Sequence, residues 1–304
     1  MEYRTLGSTG ERVSAIGIGG AHAARPQDPA ETTKLIRTAI DAGINFMDNC
    51  WDYSGGHAEE RMGEALRDGY RERVFLMTKI DGHTAEAAAA QIDQCLKRLQ
   101  TDRIDLIQVH EVIRMDDPEK VFAPGGTMEA LLAAKQAGKL RYIGFTGHKD
   151  PDIHLKMLSM DFPWDTVQMP LNCVDRHHRS FEEKVLPVLV ERNIGVLGMK
   201  PLAAGDAVKS GAATAEECLR YAMSLRTSVV ITGCDSLPIA EQAIRVWRDF
   251  TPMSAEEMAA LRERTAAHAT AGKLEGYKVS DRFDGTTKNP HWLTTATVTL
   301  DAAD

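Results

Sequence analysis

The sequence predicts an α/β protein folded as a single (β/α)8 barrel of the TIM type, with an N-terminal hairpin before the barrel and a C-terminal helix plus tail after it. Three observations predict it. Eight short runs rich in β-branched and aromatic residues alternate with eight longer runs of helical period. That alternation implies parallel strands joined by right-handed crossovers. An open dinucleotide-binding sheet is disfavoured because the early Gly17-Ile-Gly-Gly20 places His22 where its signature needs a third glycine. The chain of 304 residues suits one barrel of roughly 250 residues with additions. We read residues 1–270 as the barrel domain and 271–304 as a tail that covers the pocket or mediates association.

The elements follow in order. Tyr3-Arg-Thr-Leu-Gly-Ser-Thr-Gly10 supplies one side of a hairpin at the barrel bottom. Strands are expected at 13–19, 44–48, 74–79, 104–110, 141–146, 166–169, 194–199 and 228–232. Helices are expected at 31–41, 59–68, 85–99, 128–137, 150–159, 182–191, 215–224 and 238–250, with an extra one at 254–268. Glycine follows several helices where a left-handed cap is wanted, as in Ala42-Gly43, Asp68-Gly69 and Ala137-Gly138. Thr214 and Glu217 have the spacing of a capping box. Residues 270–304 show little helical pattern, and 292–300 is rich in threonine and apolar residues.

Composition narrows the function classes. With 43% hydrophobic residues the chain can bury a core, which excludes global disorder. Lys+Arg 36 against Asp+Glu 44 gives a net charge of −8, so neither nucleic acid nor an anionic membrane is an expected partner. No apolar run approaches the ~18 residues of a membrane span, and the first residues lack a secretory apolar region. Cys50, Cys95, Cys173, Cys218 and Cys234 are scattered and odd in number, which reads as free thiols in a reducing, cytoplasmic setting. His177-His178 reads as a solvated turn, and no metal site is expected.

The chemistry should lie where barrel strands end. The second predicted strand ends in Asp48 with Tyr53 just beyond, the third in Lys79 and the fourth in His110. Singly, each is an ordinary solvated or paired residue. Together, at three consecutive strand ends, they form a proton-handling set. A tyrosine, ordinarily near pKa 10, becomes a better acid beside an ammonium. Asp48 would keep Lys79 charged, and His110 would orient a carbonyl oxygen or share the relay. Such a set suits protonation of an oxyanion as hydride arrives at carbon.

These residues sit in a wider pattern. Arg4-Thr-Leu-Gly-Ser-Thr-Gly10, Val13-Ser-Ala-Ile-Gly-Ile-Gly-Gly20, Asn45-Phe-Met-Asp48 and Tyr53-Ser54 are followed by Glu60-Arg-Met-Gly-Glu-Ala-Leu66 and Thr78-Lys79. Asp105-Leu-Ile-Gln-Val-His110 and Ile143-Gly-Phe-Thr146 complete it. In these motifs, over about the first 270 residues, the sequence resembles the aldo-keto reductase superfamily. The resemblance implies a catalytic tetrad of Asp48, Tyr53, Lys79 and His110, with Tyr53 the general acid. It also implies an NADP(H) cofactor bound in extended form, and a small carbonyl or alcohol substrate.

The implied cofactor contacts depart from the family in places. Thr146 replaces a serine, Gly147 and His148 follow where an asparagine is usual, Gln168 is retained, and Met199 replaces a stacking aromatic. Gly20, Lys200, Pro201, Leu202, Gly205, Gly233, Ser236 and Gln242 complete the expected contacts, with Lys200 a candidate cation. Asp235 stands where a basic residue commonly meets the NADPH 2′-phosphate, which shifts the expectation toward NAD(H) or dual use. Substrate-pocket candidates are Ala21, His22, Trp51, Glu111 and Met115, with the segment around Trp292. Two competing readings are a Schiff-base lyase or aldolase using Lys79 and a cofactor-sensing, non-enzymatic subunit. Substrate identity, reaction direction and oligomeric state are open at this point.

Overall fold

The computed structural model of the protein describes residues 1–297. Residues 298–304, with the end of the threonine-rich run at 292–300, lie outside the described residues. A two-stranded antiparallel hairpin, β1 (Tyr3–Thr5) and β2 (Arg12–Ser14), precedes eight parallel strands. These are β3 (Ile16–Gly19), β4 (Phe46–Asp48), β5 (Phe75–Ile80), β6 (Ile104–Val109), β7 (Leu140–Thr146), β8 (Thr166–Pro170), β9 (Gly195–Met199) and β10 (Val229–Gly233). They close in the order β10-β3-β4-β5-β6-β7-β8-β9. The predicted run 13–19 is therefore two elements, with Val13 and Ser14 in the hairpin and the first barrel strand starting at Ile16.

Alternation along the strands builds the interior in layers. Leu6 and Val13 from the hairpin join Phe46, Phe75, Met77, Leu106, Leu197, Val229 and Ile231 in one apolar cluster. Phe46 and Phe75 stack there with centroids 5.4 Å apart. Two residues further along β4, β5 and β6, the same inward face carries Asp48, Lys79 and Gln108, all buried. The apolar floor thus continues into a polar upper layer. The outward faces pack under the helices in a larger cluster running from Ile16 and Ile18 to Trp247.

Helix boundaries follow local chemistry. Asp28 caps Pro29–Asp41 and Thr84 caps Ala85–Arg98 through side-chain acceptance of free N–H groups. The capping box at Thr214 and Glu217 is formed, and Ser254 and Glu257 make a second. The helix expected at 182–191 is divided into Phe181–Lys184 and Leu186–Glu191. Pro187, which has no N–H to continue the ladder, opens the second piece.

The segment after Ala266 is ordered by long-range polar contacts instead of helical period. It forms short turns at Thr270–Gly272, Gly276–Val279, Gly285–Lys288 and Pro290–Leu293. Lys278, fully buried, donates to Asp175 at 2.8 Å and Glu275 at 2.7 Å, and the Asn172 amide donates to Tyr277 at 2.9 Å. Further on, Lys149 pairs with Asp284 at 2.7 Å, and Glu111 accepts from the backbone N–H of Thr286 at 2.9 Å. The Gln91 amide then donates to the carbonyl of Trp292 at 2.9 Å. The tail thus crosses the loops after β8, β7 and β6 and reaches the helix after β5. Among the described residues no helix is long and apolar enough to cross a membrane.

Candidate active site

Three neighbouring strand ends bring Asp48, Tyr53, Lys79 and His110 together on the carboxyl rim. The Lys79 ammonium donates to Asp48 at 2.5 Å, to the Asn49 carbonyl at 2.6 Å and to the Tyr53 phenol oxygen at 3.3 Å. Burial alone would pull the Lys79 pKa down, but Asp48 and Tyr53 outweigh it and hold the ammonium above its ordinary range. Tyr53 lies in the turn Tyr53–Gly56 and meets His110 edge-on, with ring centroids 6.5 Å apart. Burial pushes the Tyr53 phenol well above its ordinary range, and Lys79 offsets this only in part. This reverses the sequence expectation of a lowered phenol pKa: desolvation of the phenolate exceeds the pull of the ammonium. Tyr53 stays a phenol across the neutral range.

His110 has a surrounding that sequence reasoning missed. Its Nδ1 lies 2.7 Å from the fully buried carboxyl group of Asp81 and 3.6 Å from the Cys50 thiol. Cys50, Asp52, Asp81 and His110 each place a donor atom within 4.8 Å of the others. Asp81 follows Lys79 by two residues, and that spacing, which aims both side chains the same way at the end of β5, was the available signal. In a tetrahedral metal site, ligands about 2.0–2.1 Å from the ion stand about 3.3 Å apart. The 2.7 Å contact is instead that of a hydrogen bond.

The expected cofactor contacts lie along the rim from β7 to β10 and onto β3. Thr146 and Gln168 are buried at the ends of β7 and β8, and Gln168 Oε1 has no partner. An unpartnered buried amide oxygen of this kind suits an incoming carboxamide N–H. Met199 and Lys200 are half-buried at the end of β9, ahead of Pro201, Leu202 and Gly205. The Lys200 ammonium lies 5.4 Å from the centre of the Tyr277 ring and 5.5 Å from that of Phe283. Burial brings its pKa down to about 8, with Glu111 opposing. Gly233 ends β10 against the His22 ring, and Gly20 sits over the Asn49 amide. Asp235 and Ser236 lead into the helix Leu237–Arg248, which carries the exposed Gln242. The Ser236 side chain caps none of that helix's N–H groups, leaving them for an anion. On these grounds the residues present fit a nicotinamide dinucleotide.

The expected pocket wall needs two corrections. Trp51 is fully buried, donates from Nε1 to Gln94 at 2.8 Å and meets Trp292 edge-on at 5.8 Å, so it packs under the helix Ala85–Arg98. Met115 is 52% exposed on the outer surface, where its carbonyl accepts from Lys156. Its thioether chain is turned to solvent. Ala21 and His22 are half-buried near β10, and burial lowers His22 to about 4. Glu111 is buried beneath the tail, with its carboxyl pushed up to about 7 by burial.

Comparison with known proteins decides the family. A model described as the aldo/keto reductase family matches residues 15–211. The chain belongs to the aldo/keto reductase family. Membership places it among the oxidoreductases. This aldo/keto reductase is 31% identical over 223 residues to L-galactose dehydrogenase of Arabidopsis thaliana, covering 69% of this chain and 68% of that protein. It is 32% identical over 212 residues to the aldo-keto reductase YhdN of Bacillus subtilis, covering 65% of this chain and 61% of the relative. The match to YhdN thus spans less than two thirds of the relative's length. Among solved structures, an aldo-keto reductase of Bacillus halodurans in its holo form superposes with a TM-score of 0.73 at 23% identity, over 90% of this chain and 99% of that one. One from Klebsiella pneumoniae, in complex with NADPH, gives 0.69 at 24% identity over 88% and 96%. At these identities the two structures speak to the fold alone.

Proposed function

We propose that this member of the family is a nicotinamide-dependent reductase of small aldehydes or ketones, reversible with the corresponding alcohols. The observation that carries the reading is the Lys79 ammonium held between Asp48 and the Tyr53 phenol oxygen. A bound NAD(P)H supplies the hydride. The protein's share is to meet the carbonyl oxygen with acidic hydrogens as negative charge builds there. Tyr53 is the general acid, since burial keeps it protonated and the Lys79 contact favours the phenolate left behind. Asp48 holds Lys79 charged and in place. Thr146, Gln168, Met199 and Lys200 would hold the nicotinamide end, and the rim around Gly233 to Gln242 the phosphates and adenosine. A Schiff-base reaction at Lys79 is disfavoured because an ammonium held by a carboxylate at 2.5 Å is not a free amine. A cytoplasmic setting belongs to the same reading, supported by the five scattered cysteines.

Tyr53→Phe tests the assignment. Removing the phenol proton should lower kcat for carbonyl reduction by about 10²- to 10⁴-fold. Cofactor affinity, measured by fluorescence titration, should stay within about threefold. Unchanged turnover in the variant would sink the assignment of Tyr53.

A further inference from the structure

His110 has two ring nitrogens, and the structure leaves only one for chemistry. Nδ1 is engaged by Asp81 at 2.7 Å, with the Cys50 sulfur 3.6 Å away. Nε2 is the nitrogen that remains for a substrate oxygen. A neutral imidazole carries one hydrogen, so the partner of Nδ1 determines what Nε2 offers. If Asp81 is a carboxylate, it accepts Nδ1–H and Nε2 presents a lone pair. If Asp81 is a carboxylic acid, it donates to Nδ1 and Nε2 presents N–H. Only the second form can donate to a carbonyl oxygen. Only the first can accept from an alcohol hydroxyl.

We propose that Asp81 is a positioning residue whose own proton selects the His110 tautomer, and with it whether the site presents a donor to a carbonyl or an acceptor to an alcohol. The exchange balances in protons. As Asp81 ionises, its hydroxyl proton crosses to Nδ1 and the Nε2 proton leaves to solvent, so the pair loses one proton in total. This inference rests on the reductase reading for its consequence, though the tautomer selection stands apart from it.

The surroundings support a proton on Asp81 at neutral pH. Its backbone N–H and that of Gly82 both donate to Gln91 Oε1, at 2.8 and 2.7 Å, which fixes the main chain and leaves the carboxyl aimed at His110. The second carboxyl oxygen, Oδ2, is buried without a partner. The groups facing the pair are Lys79 near the end of β5, Asp48 on β4 with Cys50, Asp52 and Tyr53 after it, Glu59 on the helix His57–Ala65, Glu111 after β6, His148 after β7 and Lys200 after β9. Lys79 favours the carboxylate but is already committed to Asp48, while Glu59 opposes it, and Asp81 in turn raises the neighbouring Asp52. Burial, the largest influence, takes the Asp81 pKa up to about 8.

Carbonyl reduction consumes a proton whatever the mechanism, so a faster reduction at low pH is no test by itself. The tautomer is. In protein labelled with 15N-histidine, long-range 1H–15N correlation spectra report which ring nitrogen is protonated, with the His110 signals identified by their loss in His110→Gln. Between about pH 6 and about pH 10 the proton should move from Nε2 to Nδ1 with a midpoint near 8, and Asp81→Asn should abolish the step. Over the same range kcat/KM for reduction should fall more than about tenfold in the wild type and less than about threefold in Asp81→Asn. A single tautomer throughout, or a step that persists in Asp81→Asn, overturns the proposal. So does stoichiometric zinc in the purified protein lost on substituting Cys50, because Nδ1 would then be a metal ligand. Should Asp81→Asn fail to fold, the wild-type titration decides alone. Absence of any carbonyl reduction beside an intact tautomer step would count against the reductase reading and leave this one standing.

Discussion

We propose that a single side chain, Asp235, biases cofactor choice. It lies at the entry to the helix Leu237–Arg248, close enough to His22 to raise that residue's pKa against the lowering effect of burial. A carboxylate there repels a 2′-phosphate and can accept from a ribose 2′-hydroxyl. NADPH should therefore bind no more than about tenfold tighter than NADH in fluorescence titration, and Asp235→Arg should shift the ratio toward NADPH by about tenfold or more. A wild-type preference for NADPH beyond tenfold contradicts this. At this scale the cluster of Asp48, Lys79 and His110 was legible because each lies within one residue of a strand's carboxyl end, and period-two alternation sends such side chains to one rim. Trp51 was misplaced because its partners, Gln94 on the helix Ala85–Arg98 and Trp292 in the tail, are distant in sequence. Asp81 was passed over because one carboxylate beside a loop glycine looks solvated until β6 delivers His110 to it.

At the scale of elements, the tail is where sequence pattern gave the least. Its order comes from contacts such as Asp284 with His148 at 3.1 Å, which join residues 136 positions apart and leave no periodicity to read. Burial holds the His148 pKa down to about 3, with the Asp284 bond opposing, against an ordinary value of 6.5. A native pKa below the unfolded one gives stability that is complete above pH 6.5 and lost as pH falls from there toward 3. The loss for one such group is about 1.4 kcal/mol per pH unit. Between pH 6.5 and about pH 5, the wild type should lose about 2 kcal/mol more than His148→Asn, read from urea midpoints at both pH values. Parallel losses would mean that the tail releases His148 to water before the barrel unfolds. The divided helix around Pro187 is the opposite case: the proline was in plain view, and its missing N–H accounts for the break.

For the whole molecule, the count of eight strand–helix units was legible because each repeats the same local signals, and a closed ring follows from the number. The ring also separates two jobs, with polar chemistry at the carboxyl rim and closure at the bottom. Arg4 fastens the hairpin to the far side of the bottom, donating to the carbonyls of Thr227 at 2.8 Å and Met223 at 2.7 Å. Gly7 makes the close approach: its φ is +53°, and a Cβ there would run into the backbone N of Gly195 and stand 2.8 Å from the Asn193 carbonyl oxygen. Gly10, in the same hairpin at φ +79°, has nothing within 4 Å of that position. The two glycines separate conformational strain from steric closure. Gly10→Ala should cost about 1–2 kcal/mol, the left-handed backbone alone. Gly7→Ala should add a further 1–3 kcal/mol for overpacking, roughly 2–5 kcal/mol in all, seen as a lower urea midpoint. Both should keep kcat/KM within about twofold, because the reacting rim lies at the other end of the strands. Equal costs for the two alanines would show that the bottom yields to a methyl group. A loss of activity matching the loss of stability would show that the floor and the rim are not independent.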